Sequence, residues 1–144
     1  MATRGNILID ESRRPLIHVS FEGPPSDAEF AAYLERMTRM LELRERTVVV
    51  LDGREAGRTP AKQRRMQAQW LDEQRETLRE FSLGTAFVIN SSVTRGILTA
   101  IFWVSPLETP HTIVATYEEA EDWAFERLRE AGIEPPRSRD SAAS

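Results

Sequence analysis

Two loops of this chain carry hydroxyl and cationic side chains directly after apolar runs. The first loop follows residues 47–51 and the second follows residues 83–89. Arginine binds carboxylate and phosphate groups through paired hydrogen bonds, and free N–H groups at a helix start favour negative charge. The loops therefore predict a site for an anionic ligand or a phosphorylated partner, with helix caps and solvated arginines as the plainer alternative. The candidate residues are Arg54, Arg58, Thr59, Lys62, Ser91, Ser92 and Arg95.

Strand and helix patterns alternate along the chain and indicate which elements position these loops. Residues 16–22 alternate between apolar and polar side chains, which is typical of a strand with one buried face. Residues 47–51 are apolar and β-branched without alternation, which indicates a central strand covered on both faces. The predicted strands are 7–9, 16–22, 47–51, 83–89 and 112–115, and the predicted helices are 26–44, 60–81, 93–104 and 116–131.

Capping residues mark the predicted helix starts. Ser26 with Glu29, and Thr116 with Glu119, have the spacing of a capping box. Thr59 is predicted as the N-cap of a helix whose first residue is Pro60, because proline fits a position that needs no intrahelical N–H.

The order β-β-α-β-α-β-α-β-α predicts an α/β fold. Strands that alternate with helices form a largely parallel sheet, and the opening hairpin adds an antiparallel edge. We therefore expect one mixed five-stranded sheet with an N-terminal hairpin and four helices. A single domain is predicted over residues 6–132, with a disordered start (1–5) and a disordered tail (133–144). Both candidate loops begin at the carboxyl ends of parallel strands, where ligands bind in open α/β sheets.

The predicted helix 93–104 is apolar on nearly all sides. Seven of the eight residues from 97 to 104 are apolar. Such a helix is either deeply buried or covered by another chain or ligand, and one small sheet offers little room for burial on every side. The candidate interface residues are Ile97, Ile101, Phe102 and Trp103, with Phe102 and Trp103 as the expected exposed aromatics. Burial in the core is the alternative.

Composition excludes several chemistries. The chain of 144 residues has no cysteine and two histidines, so thiolate chemistry, iron–sulfur clusters and cysteine-bound zinc are excluded. No complete set of nucleophile, base and stabilising group is evident, so no catalytic residue, metal or cofactor is expected. A net charge of −4 argues against general nucleic-acid binding. No targeting segment is visible and no apolar run approaches the ~20 residues of a membrane span, so we expect a cytoplasmic protein.

The order of elements resembles the STAS, or SpoIIAA-like, group of anti-sigma-factor antagonists and their lipid-binding CRAL-TRIO-like relatives. Local pieces that carry the resemblance are residues 47–52, residues 84–89, and the pair Ala120 and Trp123 in the last helix. The resemblance implies a bacterial regulatory protein, in which a Ser or Thr at the start of the second helix is phosphorylated. Thr59 matches that residue by place, although the usual Asp-Ser-Ser-Gly turn is absent.

Two functions are therefore predicted. The first is a non-enzymatic regulatory or protein-interaction domain of the STAS type, which docks a protein partner or a second copy of itself through the apolar helix. The alternative is a small-ligand or lipid-binding module, in which that helix walls a pocket and an anionic head group lies at helix N-termini.

Overall fold

A mixed five-stranded sheet organises the chain in the computed structural model, which describes residues 6–57, 59–104 and 106–138. The strands are β1 (Ile7–Asp10), β2 (Leu16–Phe21), β3 (Thr47–Asp52), β4 (Ser82–Val88) and β5 (His111–Val114). The helices are α1 (Asp27–Glu42), α2 (Ala61–Glu73), α3 (Arg75–Phe81), α4 (Ser92–Val104) and α5 (Tyr117–Glu130). The strands lie in the order β1-β2-β3-β4-β5; β1 pairs antiparallel and the others pair parallel. The predicted fold class is confirmed.

The predicted helix 60–81 is two helices, which gives five helices in place of four. Gln74 leaves helical dihedral angles, with φ −98° and ψ 8°. Hydrogen bonding nevertheless continues through it, because its N–H donates to the Trp70 carbonyl and its own carbonyl accepts from Leu78. The end of α3 is held beside the end of α1, where the Arg44 guanidinium lies 4.9 Å from the centre of the Phe81 ring. The sequence around Gln74 has no Pro or Gly that would end a helix, so we attribute the break between α2 and α3 to tertiary packing.

The helix caps follow the sequence at two of three places. Ser26 and Glu29 form the predicted capping box of α1, and Thr116 accepts from the Glu119 N–H at the start of α5. The prediction for Thr59 is wrong. Pro60 has an extended backbone, with ψ 151°, so helical angles begin only at Ala61 and no side chain caps α2.

The two faces of the sheet carry different helices. Sequential parallel strands joined by right-handed crossovers place their connecting helices on one face. Accordingly α1, α2 and α4 lie over one face, whereas α5 packs alone on the other. Within the described residues no helix is both long and apolar enough to cross a membrane.

The α5 face of the sheet is closely packed. Val48 and Val50 of β3 have no exposed surface, and neither do Ala120 and Ala124 of α5. Gly84 of β4 permits this close approach: its φ is +145°, and a Cβ built there would lie 2.6 Å from an atom of the Trp123 ring. This face therefore holds a filled core that anchors the centre of the sheet.

Candidate functional site

The central strands are buried to very different extents on their two faces. Val48 and Val50 are fully buried against α5, but their neighbours Val49 and Leu51, which point the other way, are only half-buried. The pairing register aligns Ile17, Val49 and Thr85 across the sheet, and Leu51 beside Phe87. These side chains form the floor of a space that the helices above them do not fill.

An apolar cavity of about 830 Å³ occupies this space between the sheet and helices α1, α2 and α4. Its volume lies within the range of about 300–1,000 Å³ that is usual for small-molecule sites. Most of the walls are aliphatic, aromatic or methionine side chains, among them Met37, Met40, Trp70, Leu98, Ile101 and Phe102. Methionine adapts its shape to different apolar neighbours, so this lining suits a flexible apolar ligand.

Hydrogen bonds explain why the space stays open, because they hold α2 against α1 and away from α4. The Gln63 amide donates to the Pro25 carbonyl at 2.9 Å and to Asp27 at 3.1 Å. The Trp70 ring N–H donates to the Thr38 hydroxyl at 2.8 Å. Gln63 is the one described residue of α2 that is buried, and the apolar Met66 and Trp70 of this helix are only partly buried against the core on this face.

Helix α4 forms the opposite wall of the cavity and is only partly covered. None of its described side chains is buried, although its composition is strongly apolar. Phe102 holds it to the sheet, with its ring centre 5.5 Å from that of Phe87 and 4.9 Å from that of His111. The helix is therefore neither a core helix nor fully free of the domain.

The interface candidates divide between the two sides of α4. Ile97, Ile101 and Phe102 line the cavity, and Ile97 also keeps 47% of its surface exposed. Trp103 points outward and is 84% exposed. The prediction of an exposed Phe102 is wrong, because its ring packs against Phe87, whereas the prediction for Trp103 is confirmed.

Four charged residues line the cavity, and they lie toward its two ends. Near the start of β4, Arg75 lies 2.7 Å from Asp72 and 3.8 Å from Glu108. Arg79 also binds Glu108 at 2.8 Å, and its guanidinium lowers the pKa of that carboxyl. At the other end, Arg64 donates to the Thr59 carbonyl at 2.6 Å. Tyr33 also lines the space, and burial raises the pKa of its hydroxyl, so this group is neutral.

Arg54 lies on the opposite face of the sheet from this cavity. Its guanidinium binds both carboxylate oxygens of Asp52, at 3.0 and 2.7 Å, in a polar pocket of about 490 Å³. Burial by itself raises the pKa of Asp52, but the hydrogen bonds from Arg54 outweigh it and the pKa is lowered. The charge of Arg54 is thus engaged, and the acidic groups around it, Asp10 and Glu55 among them, disfavour an anion.

The other candidates of the first loop do not form one cluster. Thr59 lines the apolar cavity, and Lys62 lies 3.4 Å from Asp27 on the surface. The Lys62 ammonium and, more strongly, the Gln63 amide lower the pKa of Asp27. Arg58 falls outside the described residues.

The candidates of the second loop serve the start of α4. The Ser91 hydroxyl accepts from the Thr94 N–H at 3.3 Å, which is a capping bond, and Ser92 is the first residue of the helix. Arg95 reaches back to the Ile89 carbonyl at 3.5 Å. The plainer interpretation of this loop, helix capping, is therefore confirmed for Ser91.

Sequence reasoning missed Arg64 and Gln67, which line the cavity. Both lie on the polar helix α2, where a surface location is the ordinary expectation for such residues. Their spacing of three residues places them on the same side of the helix, but only the position of α4 shows which side that is.

Comparisons with known proteins identify no family for this chain. Neither a protein-family model, nor a curated protein, nor a solved structure matches it. Among the described residues, no group of three or more His, Asp or Glu side chains is arranged to hold a metal ion.

Proposed function

We propose that this protein binds an apolar or amphipathic small molecule, such as a lipid, in the cavity between the sheet and helices α1, α2 and α4. One observation carries the proposal. Neighbouring residues of the same strand, Val48 and Val49, face a filled core and an apolar space of about 830 Å³, respectively. The space is partly open to solvent, and apolar clefts of this size are typical small-molecule sites, so it is best explained by an occupant.

The partly covered helix α4 supports the same function. A ligand enclosed under helices needs a route inward, and an element with few buried side chains opens at low cost in free energy. No described side chain of α4 is buried, and Phe102 supplies its ring contacts with the sheet. A bound apolar molecule would complete the packing of Leu98, Ile101 and Phe102.

Native mass spectrometry tests this proposal on the full chain purified from its own host, with extraction of bound lipid. We expect a population whose mass exceeds that of the chain by one small apolar molecule. Val49→Phe, which places a ring in the cavity, should lose that population while it stays folded by circular dichroism. A wild-type protein that carries no ligand and binds no apolar fluorescent probe would overturn the proposal.

A second candidate function is docking of a second copy of the chain through the outer side of α4, one of the two kinds of partner that the apolar helix predicts. Val93, Gly96, Ala100 and Trp103 share this outer arc, opposite the cavity side of the helix. Val93 is 71% and Trp103 is 84% exposed, and a Cβ at Gly96 would meet nothing within 4 Å. With small residues at its centre and no acidic residue, the arc fits an antiparallel copy of itself.

Sedimentation analysis of Trp103→Asp distinguishes this second function. We expect a wild-type dimer and a folded monomeric variant, because an aspartate would be desolvated in the contact. Leu43→Asp is the matched control, since Leu43 is 57% exposed at the end of α1, and it should remain dimeric. A wild-type monomer at all concentrations would contradict self-docking but not ligand binding.

A further inference from the structure

We infer that the ligand of the cavity is a long-chain monocarboxylate whose head group binds Arg64. This inference rests on the proposed binding of an apolar or amphipathic ligand and adds the class of head group and the end of the cavity at which it lies. The lining is apolar over most of its extent, so the charges at its ends decide which polar group a ligand can carry.

The end of the cavity near the start of β4 is electrically balanced. Arg75 is shared between Asp72 and Glu108, and Glu108 also binds Arg79. Two guanidinium groups thus neutralise two carboxylates. An anionic head group placed there would have to displace a carboxylate from an existing pair, and a cationic one would have to displace an arginine.

Arg64 is the charged residue of the cavity lining for which the structure shows no ion pair among the described residues. Its guanidinium is exposed, forms no ion pair with a carboxylate among the described residues, and donates to the Thr59 carbonyl at 2.6 Å. A guanidinium presents several donors in one plane and pairs with a carboxylate through two parallel hydrogen bonds. One uncompensated guanidinium therefore matches a ligand with a single negative charge.

A helix start at the Arg64 end of the cavity favours the same charge. Helices α2 and α4 begin at this end of the cavity, and neither has an acidic residue in its first turn. By contrast, α1 and α5 each carry two acidic residues in the first turn. Acidic side chains normally offset the positive end of the helix dipole. Asp27 of α1 supplies such an anion beside Lys62 and Gln63 at the start of α2, so the favourable interaction is left for another anion at the start of α4.

Gln67 adds a polar partner one turn along α2 from Arg64. Its side chain lines the cavity, is half-buried, and makes no hydrogen bond to another described residue. Its amide can donate to a carboxylate oxygen held by Arg64. The apolar chain of the ligand would then extend along the sheet over Leu51 and Phe87.

Fluorescence titration with a conjugated polyene fatty acid and with its methyl ester tests the inference. The two probes have the same apolar chain and differ in the negative charge. For the full-length wild type we expect the acid to bind about tenfold more tightly than the ester, as one charge-assisted pair at an accessible site implies. Arg64→Gln should remove this preference and leave binding of the ester unchanged.

Arg65→Gln is the matched control, because Arg65 is the next residue of the same helix and lies outside the cavity lining. It removes the same charge and should keep the preference for the acid. If the ester binds but the acid has no advantage, or if Arg64→Gln keeps that advantage, the inference is wrong and the proposed function stands. If neither probe binds, both are wrong.

Discussion

At the scale of single residues, alternation along β3 separates the side chains that fill the core from those that line the cavity. Val48 and Val50 complete the core under α5, whereas Val49 and Leu51 border open space. All four are aliphatic residues in one strand, so their side-chain chemistry does not distinguish them. Substitutions that add volume at adjacent positions should therefore have opposite consequences.

Val48→Phe should lower the free energy of unfolding by about 1–3 kcal/mol, because a filled core cannot accept the added volume without strain. Val49→Phe should change it by less than about 1 kcal/mol, because its ring enters the cavity. Urea denaturation of the two variants measures both values. Equal destabilisation would show that the space above Val49 is not open in solution.

Asp52 and Arg54 predict a pH dependence of stability. The pKa of Asp52 is lower in the folded protein than in the unfolded chain. The ion pair therefore stabilises the fold at pH values above the unfolded-state pKa of Asp52, and this stabilisation is lost as the pH falls through the folded-state pKa. Asp52→Asn should cost about 1 kcal/mol near neutral pH, and this cost should shrink progressively as the pH falls below about 3.9, the ordinary pKa of an aspartate. Chemical denaturation across this range checks the trend, with Asp122→Asn, an exposed position, as the control. A cost independent of pH would contradict the ion-pair account.

At the scale of elements, α4 and α5 are helices of similar length with opposite modes of packing. Five residues of α5 are buried, while none of the described side chains of α4 is. From the sequence alone, α4 would be expected to be the more deeply buried helix, since it is the more apolar of the two. The location of each helix explains the difference. Helix α5 packs one face into the core, whereas α4 lines the cavity with one side and exposes the other to solvent.

Hydrogen exchange should distinguish these two helices. Few buried contacts lower the free energy of local opening, so amides of α4 should exchange much faster than those of α5. Addition of an apolar ligand should slow exchange in α4 and leave α5 nearly unchanged. Equal protection of both helices in the ligand-free protein would mean that α4 is packed more closely than the structure indicates.

At the scale of the whole molecule, the distribution of helices explains where a ligand site can form. Helices α1, α2 and α4 share one face of a five-stranded sheet, and α5 alone packs on the other. Because Gln63 and Trp70 fix α2 to α1, the shared face is left open between α2 and α4. A site on this face lies along the strands, and the edge at their carboxyl ends holds the separate Asp52–Arg54 pocket.

The sequence by itself determined the five strands, the parallel sheet and the order of the elements, except for the division of one predicted helix into α2 and α3. Strand and helix periodicities, and capping boxes such as Ser26 with Glu29, involve residues that are close in sequence. They can therefore be recognised from the sequence alone. It also identified α4 as unusual, and the exposure of Trp103 is confirmed.

Only the tertiary structure decided which side of each element lines the cavity. The break at Gln74, the burial of Phe102 and the place of Arg64 beside the cavity depend on contacts between segments far apart in sequence. Arg54 and Arg64 are both arginines next to one loop, yet one is paired with Asp52 and the other borders the cavity. Local patterns cannot separate them, because the distinction depends on which face of the sheet each side chain reaches after folding.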